Sequence, residues 1–191
     1  MDIDIPNGKG ERLSRLNAAV AITVALLATF TGICKVKDDN IVQAMQQAQA
    51  DKIDHWAFYQ ARNVREELAR AALVQLRLQS VDRPAQRADY EAAIAQYDAL
   101  AKDQAQKKAE LQKQAIADQA TYDALNFRDD QFDLSDAAVA IAIALLAIAA
   151  LTQFWWLYLL SLVPAGFGVV MGMAGLAGWP LHPTALVQLL S

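Results

Sequence analysis

The chain has 191 residues, with 17 Lys and Arg against 21 Asp and Glu, and a formal net charge of −4 at pH 7. That balance, with no local Lys/Arg cluster, gives no electrostatic footprint for a phosphate backbone, so a nucleic-acid partner is not expected. A single cysteine, Cys34, excludes an internal disulfide.

Charge is segregated along the chain. Ala137 to Ser191 contains no Asp, Glu, Lys or Arg, whereas Lys35 to Asp136 holds 14 of the basic and 18 of the acidic residues. A charge at mid-bilayer costs about as much as several leucines return, so a charge-free run of this length predicts two solvents, water and lipid.

Residues 1–15, punctuated by Pro6, Gly8 and Gly10, read as a loosely held lead with Lys9, Arg12 and Arg15 near its end. Residues 16–34 follow as the first transmembrane helix. Within it Asn17 to Cys34 is an 18-residue charge-free stretch, just long enough to span. Thr29 to Gly32 lacks a small-x-small cleavage pattern and Ile33 departs from a lipoprotein signal, so the segment reads as an uncleaved anchor.

Residues 35–132 read as a long helical hairpin. Between Ile33 and Val163 there is no glycine, and Pro84 is the one proline. Proline starts a helix more comfortably than it continues one, and Ser80 and Asp82 are cap-type residues beside it. The tip is therefore placed at 80–84, on Asp82 and Pro84. The arms Asp39 to Gln79 and Ala85 to Leu125 have 41 residues each, about 60 Å of helix. Asp38-Asp39-Asn40 could cap a new helix at the start of the first arm. Apolar spacing traces a seam through Val64, Leu68, Ala71, Gln75 and Leu78 on that arm. On the second it runs through Tyr90, Ile94, Tyr97 and Ala101, meets Gln104 and Lys108, and resumes at Leu111 and Ala115. A seam so rich in alanine and polar residues buries little apolar surface, which favours support from neighbouring copies.

Asn126 to Asp136 breaks this pattern, and Ser135 or Asp136 is a suitable N-cap for a second transmembrane helix at 133–152. Thr152-Gln153 is the first polar interruption, and Phe154, Trp155, Trp156 and Tyr158 have the composition of a membrane interface. A turn there gives a third span at 154–178, in preference to a turn at Pro164, and leaves a tail at 179–191. Gly168, Gly172 and Gly175 share a helical face and permit close helix packing, against the second span or against a second copy. The expected fold is therefore an all-α membrane protein. It has three transmembrane helices, with a long antiparallel, coiled-coil-like hairpin inserted between the first and second. The basic-residue count leans toward a cytoplasmic N-terminus, which puts the hairpin in the periplasm.

The run Trp56-Ala57-Phe58-Tyr59-Gln60-Ala61-Arg62 resembles the hallmark of a bacterial membrane-protein family catalogued as domain of unknown function 4337. The resemblance extends over nearly the whole chain, from the span opening at Asn17 to Phe132-Asp133 and two closing spans. It implies a bacterial inner-membrane protein with a helical middle, and it brings no activity and no catalytic residue.

Trp56, Phe58 and Tyr59 lie about 30 Å beyond the first span along a helix, too far for interfacial anchors. Adjacent aromatics cannot all face one seam, so Trp56, Phe58, Tyr59 and Arg62 are candidates for a partner or subunit contact, with packing against the second arm as the plainer alternative. Asp51, His55 and Tyr59 share a face, but one histidine makes a poor metal site. Asp129, Asp130, Asp133 and Asp136 lack the spacing of a calcium loop, and helix capping accounts for much of them. No nucleotide, nucleophile or zinc-protease motif occurs, and the spans carry no ionisable residue. The expectation is a non-enzymatic, self-associating inner-membrane scaffold or accessory subunit. It needs no cofactor or small-molecule substrate, and its partners are lipid and like copies or a larger complex. The alternative is an oligomeric channel or transporter component lined by threonines such as Thr23 and Thr29.

Overall fold

The computed structural model describes residues 8–181 together with Pro183 and Ala185. Three α-helices follow one another: α1, Gly8–Asp82; α2, Arg87–Thr152; and α3, Trp155–Ala177, with a single 3-10 turn, Pro84–Gln86, between the first two. No strand occurs among the described residues. All three helices contain a stretch long and apolar enough to cross a membrane.

Two long helices form because little interrupts them: Ala, Gln and Leu recur throughout, neither helix contains a proline, and beyond Gly32 neither contains a glycine. The sequence signals for extra helix starts are overridden for the same reason. α1 runs through Asp38-Asp39-Asn40 without a break, and α2 runs through Asn126 to Asp136. Of the expected N-terminal lead, residues 1–7 lie outside the described residues, while Gly8 already begins α1. α1 ends where Arg83 leaves helical geometry, at φ −132° and ψ 68°, and Pro84 opens the 3-10 turn. Ser80 does not cap this turn; its hydroxyl donates back to the Arg77 carbonyl at 2.8 Å. Between α2 and α3 the chain reverses at Gln153, which takes φ 58°. Pro164 sits inside α3, where it withholds one backbone hydrogen bond.

The chain divides into two compact units, one formed by the chain up to Ala44 and from Ala124 onward, the other by Met45–Asp123. In the first, Leu16, Val20 and Leu27 of α1 pack with Val139, Ala142 and Leu146 of α2 and Ala165 of α3. At one end of this core Gln153 donates to Asn17 Oδ1 at 3.0 Å. Within the second unit, contacts descend along α2 as they ascend along α1: Lys52 meets Gln119, His55 meets Asp118, and Arg62 meets Gln104. Ala69, Leu73 and Ala101 form its small buried cluster, with Ile94 against it.

The inward face of α1 in this unit differs from the one expected. Met45, Ala48, Glu66, Ala69 and Leu73 are buried, and Lys52, His55, Tyr59 and Arg62 fill the 3-4 series between them. Val64, Leu68, Ala71, Gln75 and Leu78, the stripe traced from apolar spacing, are all exposed. On α2 the expected stripe faces inward except at Tyr97, which is exposed: Ala101, Gln104 and Ala115 are buried, and Tyr90, Ile94, Lys108 and Leu111 are half-buried.

Candidate functional site

Three arrangements concentrate the polar and small residues. The first is the contact between α3 and its neighbours. A Cβ placed on Gly168 would stand 2.8 Å from Val139 Cγ2 and 3.0 Å from the Ser135 carbonyl oxygen. One on Gly172 would stand 2.7 Å from both the Phe30 ring and Ser135 Oγ, and one on Gly175 would stand 2.8 Å from the Phe132 ring. The glycines thus let α3 lie against α2 and against Phe30 of α1. Ser135, read from sequence as a helix cap, instead donates its hydroxyl to the Gly168 carbonyl at 2.7 Å.

The last turn of α3 leaves carbonyls without helical partners. Gly178, left-handed at φ 70°, closes the helix by donating its N–H to the Ala174 carbonyl. Arg128 donates to the Gly175 carbonyl from Nη2 at 2.8 Å and from Nε at 3.2 Å. Fully buried Gln131 donates to the carbonyls of Trp179 and Leu181 at 2.8 and 2.6 Å. A guanidinium here also meets the negative end of the helix dipole. Sequence reading missed Arg128 and Gln131; their spacing of three on a continuous α2 is the signal that would have found them. His182 lies outside the described residues.

The second arrangement is a carboxylate cluster. Asp38 is buried and pairs through Oδ2 with Lys35 at 2.8 Å, while its Oδ1 has no donor. Asp129 of α2 comes within hydrogen-bonding reach of Asp38, and Asp133 and Asp130 lie nearby. Burial, followed by the hydrogen bond to Asp38, lifts the Asp129 carboxyl to about 7. A cavity of about 20 Å³ opens beside them, lined in part by Thr31, Cys34, Asp38 and Ser135, with room for one water. Among the described residues no group of three or more His, Cys, Asp or Glu could hold a metal ion.

The third is the polar seam of the second unit. Glu66, buried on α1, pairs through Oε2 with Lys108 of α2 at 2.7 Å and through Oε1 with Arg70 at 2.6 Å. The hydrogen bond from Lys108, then that from Arg70, holds the Glu66 carboxyl below its usual range, and Glu66 in turn raises Lys108. Lys108 also donates to Asn63 Oδ1 at 3.0 Å and lies 5.9 Å from the Tyr59 ring centroid. Tyr59 meets Trp56 edge to face at 5.2 Å, and His55 Nδ1 stands 2.6 Å from Asp118 Oδ2. Of the four residues singled out as contacts, Tyr59 and Arg62 reach across to α2 and Trp56 packs on Tyr59. Phe58 is exposed.

These geometries offer charge pairing, helix docking and proton binding. In comparison with known proteins, residues 16–178 match the family described as "Domain of unknown function (DUF4337)". The chain belongs to that DUF4337 family. No curated protein and no solved structure matches it. The matched region begins with the first apolar segment and ends at Gly178, so it takes in the glycine contacts of α3, the carboxylate cluster and the polar seam, and stops just short of Trp179 and Leu181.

Proposed function

We propose that this DUF4337 chain is a self-associating scaffold or accessory subunit of the bacterial inner membrane, non-enzymatic, acting through a helical hairpin formed by Met45–Asp123. Two features support its place in lipid. Asn17 and Gln153 mark one polar end of the first unit, and Lys35 and Asp38 mark the other, 18 to 21 residues along α1, which is about 30 Å of helix and one hydrocarbon thickness. Phe154, Trp155 and Trp156 sit exposed at the first end, as interfacial aromatics do. The positive-inside count favours a cytoplasmic N-terminus with the hairpin in the periplasm.

One observation carries self-association. The second unit buries only small or polar residues and a few aliphatics, among them Met45 and Leu73, while Phe58, Val64, Leu68, Val74, Leu78 and Val81 stay exposed. A water-exposed hairpin with its larger apolar side chains outside and its charges inside is inverted for a lone molecule. The mass of the detergent-solubilised particle tests this, with several chains per particle expected. A particle of one chain that carries no other protein would sink the proposal.

A further inference from the structure

In the second unit α1 presents two opposed stripes, each with 3-4 spacing. One, through Tyr59, Glu66 and Leu73, meets α2. The other runs Ala57, Ala61, Val64, Leu68, Ala71, Gln75 and Leu78, three heptads in which Gln75 is the sole polar residue. Val64 is 57 %, Leu68 66 % and Leu78 68 % exposed. In heptad terms Tyr59, Glu66 and Leu73 occupy the f positions of the outer frame, directly behind it. The face turned toward α2 is therefore the more polar of the two, and the face turned outward has the composition of a coiled-coil seam.

We propose that this outer stripe is the docking surface for a second copy of the same chain, and that the two α1 helices pair there in parallel and in register. The inference rests on self-association as proposed above and specifies its surface. Two copies rooted the same way in one membrane are related by a two-fold axis along its normal, and that axis makes identical helices parallel. Parallel register stacks each residue on its twin. Ala61, Leu68 and Gln75 then form the a layers, and Ala57, Val64, Ala71 and Leu78 form the d layers. A single polar a residue meeting its own copy, as Gln75 does, satisfies its amide across the seam and is penalised in any shifted alignment. The flanks agree with this choice. Arg65 faces Gln60 of the other copy and Glu67 faces Ala72, so no like charges oppose. The antiparallel alignment centred on residue 66 would set Arg65 against Arg65 and Glu67 against Glu67. Phe58, Val74 and Val81, exposed at its edges, widen the apolar surface that a second copy would cover.

Cysteine cross-linking in native membranes tests orientation and surface together. In a Cys34→Ala background, Gln75→Cys places two sulfurs in one a layer, with Cα atoms roughly 6 Å apart and within disulfide reach. Mild oxidation is expected to link two chains through Gln75→Cys but not through Lys113→Cys, an exposed control on α2. Leu68→Glu in the otherwise unaltered full chain is expected to lower the particle mass at unchanged helicity. Three results would overturn the stripe while leaving self-association standing: a multi-chain particle with no Gln75→Cys link, a Leu68→Glu particle of undiminished mass, or loss of helicity in that variant. A link from Gln75→Cys to a different protein would overturn the identity of the occupant. A wild-type particle of one chain would overturn both the stripe and the function it rests on.

Discussion

At Gly168 the nearest obstacles to a methyl group include the backbone oxygen of Ser135, which cannot rotate away as a side chain could. Gly168→Ala should therefore push α3 off α2 and strain the Ser135 hydrogen bond, at a cost of about 1–3 kcal/mol for overpacking. Gly166 has nothing within 4 Å of an added Cβ. Gly166→Ala should be neutral or slightly stabilising, because alanine is the better helix former. Thermal unfolding in detergent of the two variants side by side checks this, and equal melting temperatures would mean that α3 does not pack as described. Arg128 offers a second residue-scale test. Arg128→Ala leaves the Gly175 carbonyl without its charged donor and should lower stability by about 1–3 kcal/mol, with Arg128→Lys recovering part of that. A melt of Arg128→Ala indistinguishable from wild type would remove the capping role.

For the long helices, sequence was informative about where the helices end and misleading about which face of α1 turns inward. Among the described residues α1 gives way to the 3-10 turn at Pro84 and α2 ends at Thr152, because proline and a polar pair amid apolar residues act locally. The inner face of α1 was illegible because the apolar-spacing rule selects the greasiest stripe, and here that stripe is the outer one. The inward stripe carries Lys52, His55, Arg62 and Glu66, whose polar atoms find partners on α2, and no periodicity of hydropathy reveals that. The polar layer has a consequence for pairing. Glu66→Gln weakens the charge attraction to Lys108 and should loosen the second unit, whereas Glu66→Leu combined with Lys108→Leu should restore or raise stability while relaxing the register between the helices. Hydrogen exchange across Asn63 to Leu73 reads the first effect. Disulfide trapping between neighbouring positions of α1 and α2 reads the second, and a double variant still locked in one register would show that other contacts set the alignment.

The two units should answer to pH with opposite sign. Asp129 carries its proton to about 7 in the folded first unit against an ordinary 3.8. The folded state therefore binds more protons than the unfolded one between those values. Asp129's contribution is full below about 3.8, declines as pH rises through about 7, and is gone above it. The groups facing Asp129 are Asp38 from α1 and Asp130 and Asp133 from its own helix, so the surroundings are acidic on both sides. In the second unit the shifts run the other way. Glu66 lies below its ordinary 4.5 and Lys108 above its ordinary 10.5. Their pairing is intact between those two values and is lost as acid protonates Glu66 or alkali deprotonates Lys108. Taking the protein from pH 8 to pH 5 should therefore slow hydrogen exchange around Asp38 and Asp129, after correction for intrinsic rates, and leave Asn63 to Leu73 unchanged. Further acidification below 4.5 should open the second unit. Asp129→Asn should abolish the change between pH 8 and pH 5 and leave the acid loss in place. Protection that rises equally in both segments would show that the carboxylate pair is not what senses the proton.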